Sequence, residues 1–194
     1  MIERYTNPEM GRLWSLQHEF EEILEVEITA CEAMAELGEI PAAAVENIKK
    51  NAKFDVARIN EIEKTTDHDI IAFLTNLEEN VGADSKYIHK GLTSSDVKDT
   101  AYCVMMRDAA AIILADLNAF REVLRRRADE FRHTPCIGRT HGIHAEPMTF
   151  GLKMLLWSAE IERDIERLTR AKETVSVGKL SGAVGTYSNI DPRI

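Results

Sequence analysis

The sequence predicts an all-α protein built around unusually long helices, and three observations predict it. From Leu92 to Thr134 there is neither glycine nor proline, so a single helix of about 40 residues, roughly 60 Å long, fits the stretch. A second apolar stripe at helical spacing runs from about Thr149 to Val175 through Phe150, Met154, Leu155, Trp157, Ile161 and Ile165. Shorter stripes of the same period fill most of residues 8–80. Average globular helices are about 11 or 12 residues long, so lengths such as these suit a bundle.

Pro8 fits the first turn of a helix, with Thr6 or Asn7 as its cap, after an irregular start. Apolar residues then recur at helical spacing to Leu37 (Leu13, Leu16, Phe20, Ile23, Leu24, Ile28), and Gly38 stops that helix. Pro41 opens another, to about Asn51, and a third covers Asp55 to Lys64. The run TTDHD (65–69) caps a helix over Ile70–Asn80, closed by Val81-Gly82. Gly91 breaks any helix in 83–92. Thr93, Ser94 and Ser95 then cap the long helix, whose first-turn Asp96 and Asp99 match its dipole. Residues 176–187, rich in glycine, read as a short strand or loop. Two long antiparallel helices alone do not make a stable bundle, so the chain is expected to be part of a longer one. Its expected domains are an N-terminal helical domain over 1–91 and an incomplete central long-helix bundle over 92–194.

Composition narrows the function classes. The chain has 194 residues, 29% of them charged, and a net charge of −9. Such a field does not favour nucleic acid or anionic lipid. Arg125-Arg126-Arg127 lies within a helical pattern and reads as a solvated face. Cys31, Cys103 and Cys136 are far apart and form no CxxC pair, which argues against a disulfide scaffold or structural zinc and fits a reducing compartment. No secretory leader follows Met1 and no apolar run reaches the ~18 residues of a membrane span. The expectation is a cytoplasmic protein without membrane or nucleic-acid partners.

Chemistry gathers in three polar clusters at the mouths of helices: TTDHD with His68, HKGLTSSD with His89, and GRTHGIHAEPM (138–148) with His141 and His144. The last, bracketed by Pro135 and Pro147, cannot be helical throughout and reads as a helix–helix connection. Helix N-termini attract carboxylates and phosphates, and histidine moves protons near neutral pH. Together they point to an anionic substrate and acid–base chemistry. A zinc site from His68, His89, His141 and His144 lacks the HExxH spacing, and no metal or cofactor is expected. There is no P-loop and no GxGxxG.

TSSDVKDTA (93–101), one very long helix and then GRTHGIHAEPMTFG (138–151) resemble the fumarase/aspartase superfamily, and within it the adenylosuccinate lyases. The likeness extends from ERYTNPEM (3–10) through TTDHD to SGAVGTYSNID (181–191), essentially the whole chain. Relatives that act on argininosuccinate or fumarate share the Thr-His pair but differ around it. Related cycloisomerases usually lack the histidine.

The resemblance implies cofactor-free elimination of fumarate from adenylosuccinate, giving AMP, and from the succinyl-aminoimidazole carboxamide ribotide. His141 matches the general acid and His68 its partner histidine near the substrate phosphate. Arg4 and Tyr5 match a phosphate-contacting pair. Thr93, Ser94 and Thr140 match residues that hold a succinyl carboxylate; Asp67, Asp69 and His89 match substrate-side positions. Lys90, Asp96 and Glu146 stand as supporting residues, whereas His133 and His144 read as structural or solvated. The serine loop of pattern SSxMPxKxNP, the family's source of the general base, does not occur in these residues. The family builds each site from three subunits of a homotetramer. The chain is therefore expected to carry about half of each site and to be inactive alone. The alternatives are another fumarate-releasing lyase of the superfamily, or a helical oligomerisation fragment without activity.

Overall fold

The computed structural model describes residues 2–194, with the backbone alone at Glu3. The helices are α1 (Pro8–Leu13), α2 (Leu16–Glu36), α3 (Ala42–Asn51), α4 (Val56–Thr66), α5 (Asp69–Val81), α6 (Ser94–Glu130) and α7 (Phe150–Val175). Short 3₁₀ turns cover Glu3–Tyr5 and Gly82–Tyr87. The mostly helical class agrees with the sequence, and α6, at 37 residues, is about 55 Å long. Two features differ from expectation. The stripe from Pro8 to Leu37 is two helices, because Ser15 is extended (ψ 151°) and its hydroxyl caps α2 by accepting from His18 N–H at 3.2 Å. The motif between the long helices is not a plain loop but a hairpin of strands β1 (Pro135–Thr140) and β2 (Ile143–Thr149). Residues 176–194 contain no strand.

Local chemistry sets the helix starts. Asn7 accepts from the N–H groups of Glu9 and Met10 ahead of Pro8. Asp55 accepts from Arg58 N–H at 2.7 Å. At α6, Thr93 N–H donates to Asp96 Oδ2 at 3.0 Å, the reciprocal half of a capping box.

The chain divides into two compact units, one running to Met106 together with Ser176–Ile194, the other Arg107–Val175. The first has an apolar core in which Phe20, Phe54 and Phe73 pack ring against ring, with centroids 5.1–5.9 Å apart. Ile48, Ile59, Ile70, Phe73 and Leu77 are fully buried, each worth about 1.5–3 kcal/mol. The returning segment 176–194 joins this core through Ile190, Leu180 and Ile194. Asp96 fastens it. This carboxylate is buried and accepts from Lys179 Nζ at 2.7 Å and from Ser181 and Gly182 N–H at 3.0 Å, besides Thr93 N–H.

In the second unit the later part of α6 and the start of α7 run antiparallel. Phe131 and Phe150 meet edge to face at 5.4 Å, and Arg125 reaches Glu162 at 3.3 Å. Gly151 is required at the crossing, since a Cβ there would lie 2.7 Å from Arg132 Cα. Leu152, Leu155, Leu156 and Trp157 remain exposed on α7.

Burial raises the Asp96 carboxyl, but Lys179 and the three backbone donors outweigh it and hold the group below the usual carboxylate range. Stabilisation from such a depressed group is complete above its unfolded value and is lost as pH falls through its folded one. Asp96→Ala is expected to lower the unfolding free energy at pH 7 by on the order of 3 kcal/mol. In urea titrations the gap between native and variant chains should narrow below about pH 4.

Candidate active site

The α4–α5 junction sets out three of the expected residues. Asp67 is left-handed (φ 51°) and ends α4, its N–H bonding Glu63 O at 2.9 Å. His68 is extended and caps α5. Its Nδ1 lies 3.4 Å from the Ile71 N–H it accepts and 3.5 Å from Asp69 Oδ1. Asp69 accepts from Ile70 N–H at 2.8 Å and forms an ion pair with Lys98 of α6. Burial pushes the Asp69 carboxyl up, but the Lys98 hydrogen bond and the Ile70 N–H prevail and lower it.

Through Asp69–Lys98 the start of α5 is tied to the first turns of α6, where Thr93 and Ser94 stand, both half-buried. His89 precedes them in a left-handed conformation (φ 62°), a geometry that costs a side-chain-bearing residue roughly 1–3 kcal/mol. It is held by Glu27 of α2, which accepts His89 N–H at 2.8 Å and approaches Nδ1 at 2.5 Å. Gly91 (φ 77°) lies so close to the Asn189 carbonyl that no Cβ would fit. Arg4 and Tyr5 are exposed in the first 3₁₀ turn, with the guanidinium 4.8 Å above the phenol ring.

Thr140 and His141 belong to the second unit. Thr140 pairs with Ile143, and the two residues between, His141 (φ 50°) and Gly142 (φ 74°), are both left-handed. That is the type I′ turn whose twist matches a β-hairpin. It leaves the His141 side chain exposed at the tip. The register shifts between Ile137 and Arg139, a β-bulge in which Ala145 and Glu146 of β2 lie opposite Gly138 of β1. An imidazole on a closed two-residue turn is positioned more rigidly than one on an open loop.

The structure thus joins Asp69 to the α6 start and anchors His89 to α2. Sequence reasoning passed over Glu27 and Lys98. Glu27 carried a readable signal: it follows Ile23 and precedes Cys31 at four-residue spacing, a carboxylate inside a buried stripe. Lys98 carried none. Among the described residues no three His, Cys, Asp or Glu side chains are placed to hold a metal ion, and no helix is long and apolar enough to cross a membrane. The three cysteines are free, and burial, with the charges of Glu27 and Glu32, pushes the Cys31 thiol up to about 12.

Long helices with an intervening motif hairpin make up a mostly helical fold. A family profile described as lyase matches residues 3–194, and the chain belongs to that family. It is 52% identical over 192 residues to the adenylosuccinate lyase of Bacillus subtilis and 53% identical over 194 residues to that of Synechocystis. These matches take in 99% and 100% of this chain but 44% and 45% of those proteins, so the chain spans under half the length of the relatives it matches. Among solved structures it is similar to a fumarate lyase from Mesorhizobium (TM-score 0.90, 32% identity), covering 96% of this chain and 45% of that one. It is also similar to a β-carboxy-cis,cis-muconate cycloisomerase from Acinetobacter calcoaceticus (TM-score 0.89, 28% identity), covering 96% and 46%.

A Cβ at Gly138 would lie 2.7 Å from the Glu146 carbonyl oxygen. Gly138→Ala is therefore expected to cost the hairpin about 1–3 kcal/mol. Hydrogen exchange should show faster exchange at β1 and β2 amides, with the amides of α2 and α5 unchanged.

Proposed function

We propose that the protein acts as a lyase that eliminates fumarate from adenylosuccinate, giving AMP, and from the succinyl-aminoimidazole carboxamide ribotide, in purine biosynthesis. One observation carries this reading: identity of 50–53% across the chain to proteins named adenylosuccinate lyase, against 32% to the fumarate lyase structure. In the reaction a base takes the proton from the succinyl carbon beside a carboxylate. The electron pair passes into that carboxylate, the C–N bond breaks, and an acid protonates the departing nitrogen. His141 is that acid, and its place on a closed turn supports the role. His68 is its partner histidine. Arg4 and Tyr5 hold the phosphate, a match of planar guanidinium to phosphate oxygens. Thr93, Ser94 and Thr140 hold a succinyl carboxylate, which the start of α6 favours electrostatically. Asp67, Asp69 and His89 stand on the substrate side.

Residues 1–91 form the N-terminal domain and 92–194 part of a central bundle through which four copies associate. Each site draws on more than one subunit, and the protein works in the cytoplasm. The exposed apolar side chains of α7 support association.

The test is fumarate release from adenylosuccinate by the complete polypeptide. Turnover of argininosuccinate with none of adenylosuccinate would overturn the proposal. His141→Asn is expected to cut the rate about 100- to 10,000-fold. Its thermal midpoint should stay at or above the native value, because Asn is favoured at the left-handed turn position. Arg4→Ala should raise KM for the phosphorylated substrates and leave kcat nearly unchanged. An unaltered KM would remove Arg4 from phosphate binding.

A further inference from the structure

Glu27 is a carboxylate in the wrong place for a surface acid. It is 1% exposed, on the core-facing side of α2, between Ile23 and Cys31. Carboxylates are buried in this way only when their charge is met by specific donors. Both of its oxygens are met by one residue, 62 positions away: Oε2 by the His89 backbone N–H at 2.8 Å, Oε1 by the His89 ring at Nδ1, 2.5 Å. The same histidine is held left-handed, a conformation uncommon outside glycine, asparagine, aspartate and histidine. The bidentate grip on backbone and ring together holds it there.

Two bare lone pairs cannot approach to 2.5 Å, so a proton lies between Nδ1 and Oε1. Oε2 already accepts the His89 backbone N–H, so the carboxylate is the acceptor on both oxygens and Nδ1 carries the proton. The ring is therefore fixed both in orientation and in tautomer, with Nε2 the nitrogen left to meet a ligand. His89 keeps 17% of its side chain exposed, so the ring is not sealed in the core.

We infer that Glu27 is a positioning residue for the reaction: it locks His89 in the Nδ1–H tautomer, so that Nε2 faces the substrate beside the Thr93–Ser94 start of α6. The inference rests on the substrate-side role of His89 proposed above. Partners that orient an imidazole through its far nitrogen commonly matter about 10- to 100-fold to the function of the near one. Glu27→Gln keeps the shape of the side chain. Its amide oxygen can still accept the His89 backbone N–H, but its NH₂ now faces Nδ1, and the ring proton is driven to Nε2.

The experiment is the tautomer of His89 by nuclear magnetic resonance on isotope-labelled histidine, assigned by loss of the signal in His89→Asn. It is paired with kcat/KM of the complete polypeptide for adenylosuccinate. The native chain should show His89 with its proton on Nδ1. Glu27→Gln should move it to Nε2 and lower kcat/KM about 10- to 100-fold with helical circular dichroism unchanged. Glu27→Asp, one methylene shorter, should recover little. A native His89 protonated on Nε2 with Nδ1 bare overturns the inference, whether or not the variant folds. So does a Glu27→Gln protein that keeps the native tautomer or the native kcat/KM. A native protein with the Nδ1–H tautomer but no fumarate release supports the dyad and counts against the adenylosuccinate reading instead.

Discussion

The carboxylate of Asp96 has no exposed surface, and donors reach it from its own helix start and from residues 83 to 86 positions further along the chain. Withdrawing a carboxylate from water costs several kcal/mol, which only a full set of good partners offsets. Asp96 has four, three of them backbone N–H groups, one of which, that of Ser181, is buried. The bond set therefore does two jobs at once. It fixes where α6 begins, because Thr93 N–H is one of the donors. It also closes the first unit, because Lys179, Ser181 and Gly182 are the others. Thr100 repeats the link one turn on, its hydroxyl accepting from Lys179 N–H at 3.0 Å. The placement of Thr93 and Ser94, and the seating of Ile190 and Ile194 on the core, follow from it.

Backbone strain marks the same neighbourhoods. Asp67, His89 and His141 are left-handed without being glycine. Each is over-determined by its surroundings: Asp67 by ending α4, His89 by Glu27, and His141 by the strands on either side. Left-handed residues of this kind persist when neighbours hold them, and they cluster where side chains must be aimed. These three sit one in each of the three polar clusters of the sequence, while the fourth such residue, Tyr187, lies outside them. Geometry and motif thus coincide at three of the four left-handed positions.

The long helices were legible because nothing in Leu92–Thr134 can break a helix, and the α5 start because TTDHD is rich in capping groups. Ser15 was not legible as a break, since the apolar period passes through it unchanged. The hairpin was hidden for a different reason. Its turn is His-Gly rather than the usual Asn-Gly, its second strand contains Pro147, and no residue of either strand is fully buried, so no apolar alternation announces them. At the site, His68, His89 and His141 could be singled out from residue type and spacing. Lys98 could not, because a lysine on a helix face looks solvated until its partner Asp69 is placed 29 residues upstream. Glu27 could have been found by asking why a carboxylate interrupts the stripe Ile23, Ala30, Cys31, Met34.

A chain of net charge −9 has to be reconciled with the anionic substrate proposed above. Charges more than about 8 Å apart are largely screened at physiological salt, so the local field decides. Each helix start that the proposed site uses carries its own acid, Asp69 at α5 and Asp96 at α6, and each acid is paired with a lysine, Lys98 and Lys179. The pairing neutralises the carboxylates without removing the positive ends of the helix dipoles. In the same way Glu27 spends its charge on His89. Asp69, Asp96 and Glu27 are thus committed to structure, whereas Asp67 and Glu146 within the motifs stay exposed. Paired in this way, the acids at the helix starts leave the dipoles to favour the anionic substrate proposed for the site.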